Sequence, residues 1–172
     1  GKIDVIRYCR EKNIPFLGLC YGMQLAVIEF ARDVCGFEGA NSTEIHEQTK
    51  HPVIDLLPEQ RSVTTKGATM RLGGHDVFTK EGTKAYKMFK EKTRLRFRHR
   101  YEVCPEYVNK LEEKGLVFSG TTKDQKVMQI IELPNHSFFM ATQAHPELKS
   151  RLERPAPLFV DFVKACLEKK KD

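Results

Sequence analysis

Over residues 3–12, Ile3, Ile6 and Tyr8 recur among charged neighbours at helical spacing, and Asn13 with Pro15 marks the end of that helix. Residues 16–19, Phe-Leu-Gly-Leu, have the apolar run of a short buried strand. Helical spacing resumes over 23–35 through Leu25, Ile28 and Ala31, with Gly36 placed as a C-cap. Helix, buried strand and helix in succession predict a parallel α/β core.

The middle of the chain has a different texture. Residues 53–57 predict a strand that Pro58 stops, 60–67 are polar and expected to be mobile, and 68–72 run into Gly73-Gly74, a turn signal. Leu95, Phe97, His99 and Tyr101 alternate with Arg94, Arg96, Arg98 and Arg100, so the apolar set shares one face of a strand. Pro105 opens a helix to 114 that Gly115 closes. Three short strands at 116–120, 127–133 and 138–142 are joined by turns short enough for antiparallel hairpins, and a helix over 157–170 follows. With no repeat or linker, the pattern predicts one domain over residues 1–172.

A chain of 172 residues can bury a full core, and 40% hydrophobic against 30% charged residues excludes disorder. The longest apolar stretches, such as 25–28, are too short to cross a bilayer, and no apolar leader suggests export. Cys9, Cys20, Cys35, Cys104 and Cys166 are odd in number and irregularly spaced, which supports neither a disulfide framework nor a zinc site. A reducing cytoplasm and no metal are the expectation. The net charge of +6 comes partly from Lys169-Lys-Lys171 and partly from the arginine run. Such a run can hold nucleic acid, but one arginine face of a surface strand explains it more simply. Neither a nucleic-acid partner nor a membrane is expected.

Cys20 stands between Gly18 and Gly22, where a strand gives way to a helix. It is either a small buried hydrophobe or a nucleophile lifted above the carboxyl edge of the sheet. In the second reading, the helix N-terminus lowers its pKa and the Tyr21 N–H can donate to an oxyanion. A nucleophilic cysteine needs a base. "ATQAHPELKS", residues 141–150, follows an apolar strand and contains His145 and Glu147 on either side of Pro146. If that segment is extended, Glu147 orients one imidazole nitrogen while the other faces Cys20. Jointly, elbow cysteine and His-Pro-Glu favour chemistry over packing.

"LGLCYGMQLAVIEFAR" together with "HPE" resembles the class I (triad-type) glutamine amidotransferases. "NSTE", "MRLG", "RHRYEV", "GLVFSGT" and "HPELKSR" narrow the resemblance to the branch whose glutaminase domain serves CTP synthase. It implies an α/β fold with a mostly parallel, flavodoxin-like sheet flanked by helices and an additional antiparallel hairpin region. It also implies Cys20 as nucleophile, His145 as general base and acid, and Glu147 as its orienter. Tyr21, Gly22, Met23 and Gln24 would border a glutamine pocket, Glu44 would hold the α-amino group, and Arg100 would contact substrate through its backbone. Arg71 would lie in a lid that responds to GTP.

The reaction so implied is hydrolysis of L-glutamine to glutamate and ammonia, with no cofactor. The ammonia would supply a synthetase domain of the same polypeptide that converts UTP to CTP with ATP and Mg, in a homo-oligomer, a tetramer in the full enzyme. Tyr21 stands where the family commonly has leucine, Ala68 replaces a glycine, and Leu148 replaces an aromatic. The family's first strand and its Pro-Gly-Gly oxyanion loop would lie upstream of Gly1. The alternatives are a glutaminase domain serving another synthetase and a non-catalytic flavodoxin-like module.

Overall fold

The computed structural model describes residues 1–56 and 71–170. Expectations for the strand end at Leu57 and Pro58, for 60–67 and for Ala68 lie outside the described residues. Among the described residues, six strands form one sheet in the order β1 (Phe16–Leu19), β9 (Phe139–Thr142), β8 (Met128–Glu132), β7 (Val117–Thr121), β4 (Arg71–Thr79) and β5 (Lys92–His99). A smaller sheet joins β2 (Asn41–Ser42), β3 (Pro52–Asp55) and β6 (Glu102–Val103).

The result is an α/β fold with a mixed sheet between helices, but parallel pairing is the minority. Among the described residues only β1·β9 and β2·β3 run parallel; β8·β9, β7·β8, β4·β7, β4·β5 and β3·β6 are antiparallel. For β7, β8 and β9 the reason is connection length, because strands that follow one another through short loops pair antiparallel.

α1 (Lys2–Glu11) buries Ile6 and packs on α2 (Tyr21–Asp33). Arg10 donates to the fully buried Glu29 carboxylate at 2.8 Å and ties the two helices together. All nine residues from Met23 to Ala31 are buried. α2 is covered by α1, by β1 and β9, and by the smaller sheet, so it has no wet face. A second apolar cluster lies around Phe97, Ile130, Met140 and Leu158, closed by α3 (Lys84–Phe89) and α5 (Pro157–Lys169). Between β6 and β7 stands α4 (Pro105–Glu112), with the left-handed Gly115 just beyond its end.

One local expectation fails, and one element was not anticipated. Gly73-Gly74 is no turn but part of β4, opposite Phe97 and Arg96. A Cβ on Gly74 would sit 3.1 Å from the Arg94 side chain, so the glycine makes room for an arginine lying across the strand. α3 has no counterpart in the periodicity because it is only six residues long. Its start is made by distant groups as well as by its own cap. Thr83 Oγ1 accepts from the Tyr86 N–H at 3.1 Å, and the buried Glu132 carboxylate accepts from the N–H groups of Lys84 at 2.8 Å and Ala85 at 3.0 Å.

Gly18 leaves no room for a side chain. A Cβ there would lie 2.8 Å from that of Ala141 and 2.9 Å from the Gly22 backbone, so strand, neighbouring strand and helix start all converge on it. Gly18→Ala is therefore expected to destabilise the fold by about 1–3 kcal/mol, as overpacked cores do. Chemical denaturation measures this; a midpoint equal to the parent's would show that the three elements can part without cost.

Candidate active site

Cys20 links β1 to α2 with φ +49° and ψ −102°. A non-glycine residue held at such a φ costs on the order of 1–3 kcal/mol unless its surroundings impose it. Here they do. The Cys20 N–H donates to the Thr142 carbonyl at 2.7 Å, one step beyond the β1·β9 ladder, and its own carbonyl accepts from Met23 at 3.1 Å and Gln24 at 3.3 Å. The strained turn exposes Sγ at the carboxyl end of the sheet. There the thiol meets the Arg98 carbonyl at 4.0 Å and accepts from the Gln143 amide at 3.4 Å.

Burial is the largest influence on this thiol and pushes its pKa up. The Tyr21 N–H and the Gln143 amide pull it down, while Glu147 and Glu102 push it up. The helix N-terminus thus acts in the sense read from sequence, but desolvation outweighs it. Burial thus favours the thiol form of Cys20, which a neighbouring base would have to deprotonate before it acts as a nucleophile.

The candidate base, His145, stands three residues past β9. His145 donates its backbone N–H to the Arg96 carbonyl at 2.8 Å, and its Nδ1 lies 2.6 Å from Glu147 Oε1. An ionised Glu147 can only accept, so Nδ1 carries the proton and Nε2 offers a lone pair. Nε2 is buried with no hydrogen-bond partner, and is thus free to take a proton. Glu147 reaches the imidazole through a 3-10 turn, Pro146–Leu148, rather than along an extended strand. Pro146 favours that turn at its first position.

A cleft of about 250 Å³ opens beside the sulfur, lined by Cys20, Tyr21, Gln24, Glu44, Arg98, His99, Arg100 and Tyr101. Of the residues anticipated for a substrate pocket, Tyr21, Gln24, Glu44 and Arg100 line this cleft. Met23 does not: its side chain is fully buried in the core, and only its N–H serves the elbow. Gly22 stands in the first turn of α2 against Gly18. Arg71 pairs with His99 across β4·β5 and lays its guanidinium 5.9 Å from the Phe97 ring centre, one strand away from the cleft.

Sequence reasoning missed several residues here. Arg98 lines the cleft, His99 Nε2 lies 2.7 Å from the buried Glu102 carboxylate, and Gln143 touches the sulfur. Gln143 was in view two positions before His145, but an isolated glutamine gives no signal without its spatial neighbours. A larger cavity of about 570 Å³ between β4, β7 and α4 holds no cysteine or histidine. The smaller cleft is the one that holds the elbow cysteine. No group of three or more His, Cys, Asp or Glu side chains among the described residues could hold a metal ion.

His145 and Glu147 are not among the residues that line the cleft, but a thiol at a strained elbow and a carboxylate-oriented imidazole that leaves the neighbouring strand suit attack on an amide. The class so defined is the class I glutamine amidotransferases: residues 1–165 match the family described as glutamine amidotransferase class-I, and the chain belongs to it. Within that class the likeness is to CTP synthases. The chain is 58% identical to the CTP synthase of Archaeoglobus fulgidus over 173 aligned positions, covering 100% of this chain and 32% of that protein. It therefore spans about a third of the length of the curated relatives it matches. Among solved structures, the glutaminase domain of Trypanosoma brucei CTPS with bound acivicin superposes with a TM-score of 0.91 at 34% identity, over 97% of this chain and 65% of that one. A glutamine amidotransferase from Thermotoga maritima, 17% identical with a TM-score of 0.53 over 99% of this chain and 55% of that one, shares the fold alone.

Because burial raises the Cys20 pKa, its alkylation by a small uncharged reagent should climb with pH around a midpoint above that of an exposed thiol. Peptide mass spectrometry across a pH series checks this. A midpoint below neutrality would mean that the helix terminus, not burial, governs the sulfur.

Proposed function

We propose that this chain hydrolyses L-glutamine to glutamate and ammonia through a thioester on Cys20. The observation that carries the reading is the set formed by the Cys20 thiol, the unpartnered Nε2 of an imidazole bound to Glu147, and an adjoining cleft with a carboxylate and arginines on its walls. Glu44 suits the substrate's α-ammonium, and Arg98 with the Arg100 backbone suits its α-carboxylate. Both charges of a free amino acid are then matched while its side chain reaches the sulfur.

In this reading, His145 Nε2 removes the thiol proton as Cys20 Sγ attacks the side-chain carbonyl carbon. The oxyanion gains a hydrogen bond from the Tyr21 N–H. The imidazolium returns the proton to the departing nitrogen, so ammonia leaves and a γ-glutamyl thioester remains. Water, deprotonated by the same Nε2, attacks the thioester; glutamate departs and the sulfur recovers its proton. Glu147 keeps the tautomer correct and steadies the imidazolium. No cofactor is required for this step.

The similarity to CTP synthases extends the proposal. The ammonia would pass to a synthetase domain of the same polypeptide, where UTP becomes CTP with ATP and Mg, and the full enzyme would be a homo-oligomer. GTP would activate the glutaminase through a lid that contains Arg71. A cytoplasmic setting suits the five free cysteines.

Mass spectrometry after exposure to acivicin tests the core of this reading. One adduct on Cys20 is expected, absent in Cys20→Ala and greatly slowed in His145→Ala; adducts scattered over all five cysteines would refute a formed glutamine site. Glu147→Gln is expected to lower glutamine turnover roughly 10²–10⁴-fold with the fold intact, as loss of an imidazole's orienting carboxylate does elsewhere. Release of glutamate measures that effect, and near-parental turnover would remove Glu147 from the mechanism.

A further inference from the structure

Gln143 is fully buried at the end of β9, and each side of its amide has a distinct partner. Its Oε1 accepts from Gln24 Nε2 at 3.2 Å, and its Nε2 donates to Cys20 Sγ at 3.4 Å. Gln24, itself buried, also donates from Nε2 to the Tyr101 carbonyl at 3.0 Å. This order fixes both amides. A backbone carbonyl can only accept, so Gln24 must present its NH2 to Tyr101; the same NH2 then requires the oxygen of Gln143, which leaves the Gln143 NH2 for the sulfur. Gln24 donates to both sides, and the three links join the segment that carries Arg100 and Tyr101 to the nucleophile.

We propose that Gln143 is a positioning residue for the nucleophile: oriented by Gln24 from the Tyr101 carbonyl, its amide holds the Cys20 sulfur and couples it to the loop that lines the substrate cleft. The inference rests on the reading of Cys20 as the nucleophile. An amide N–H at this point can donate to sulfur but not accept from it, so it favours the thiolate over the thiol. It opposes the desolvation that burial imposes, in a place where the helix start alone is outweighed. Other charged or titratable groups stand around the sulfur and cleft. They are Glu147 with its partner His145 beyond β9, Arg98, His99, Arg100, Tyr101 and Glu102 along β5 and into β6, Tyr21 on α2, and Glu44 beyond β2. None changes in the variants below, so shifts between variants report the amide.

The test is the pH profile of Cys20 alkylation by chloroacetamide in the full chain, read by peptide mass spectrometry. Gln143→Met keeps bulk but removes the donor, and is expected to raise the midpoint by about one pH unit. Gln143→Glu keeps an acceptor for Gln24 but turns a carboxylate toward the sulfur, and should raise it further. Gln24→Met leaves Gln143 present but unoriented; it should move the midpoint the same way by less, and serves as the test if the Gln143 variants do not fold. A Gln143→Met midpoint equal to the parent's overturns the inference even if Gln143→Glu shifts, since charge alone explains the latter. In the absence of folded Gln143 variants, an unmoved Gln24→Met midpoint overturns it too. The acivicin adduct of the unsubstituted chain scores the glutaminase reading separately. If that adduct is absent from Cys20, the reading fails; if it forms and the midpoints do not move, only the role of Gln143 does.

Discussion

The parallel pairing of β1 with β9 is the constraint on which the site depends. Phe16, Leu17, Gly18 and Leu19 face Phe139, Met140, Ala141 and Thr142 in register, and the Cys20 N–H continues the ladder to the Thr142 carbonyl. Strands that run together end together, so the residues leaving each one emerge at the same edge of the sheet. Cys20 leaves β1 there; Gln143 and His145 leave β9. A slip of one residue would turn every side chain of β1 to the opposite face. It would also replace Gly18 at the one point where a Cβ has no room against Ala141 and the first turn of α2.

From that edge the chemistry follows as a balance of opposing influences. The elbow strains the backbone of Cys20 but anchors both its N–H and its carbonyl, so the sulfur is held where a relaxed residue would not hold it. Burial keeps the thiol protonated, and the hydrogen bonds from the Tyr21 N–H and Gln143 work against that. An imidazole with one nitrogen committed to Glu147 and the other unpartnered suits such a thiol better than a strongly acidified one.

Much of this was readable along the chain because it is local. A cysteine between glycines at a strand–helix junction, and a histidine two residues from a glutamate across a proline, are patterns within a few positions. The α/β class and most element positions also follow from local periodicity. What could not be read was long-range. Nothing in 16–19 says that 139–142 lie beside it, or that the later strands pair mostly antiparallel. Gly73-Gly74 reads as a turn until Arg94 is seen lying across it. Gln24 and Gln143 are 119 positions apart, and His99 meets Glu102 only where β5 turns toward β6. The pKa of Cys20 divides the same way: the pull of the helix start is local and was legible, whereas burial is a property of the whole fold.

The central claim is that Cys20 and His145, brought to one edge by β1 and β9, act as a single catalytic unit on glutamine. Rapid acid quenching of the chain during glutamine hydrolysis, followed by peptide mass spectrometry, tests it most directly. The account predicts a γ-glutamyl group on the Cys20 peptide of the unsubstituted chain and none on that peptide in His145→Ala. Turnover that proceeds undiminished without His145, or an acyl group found on any other residue, would contradict it.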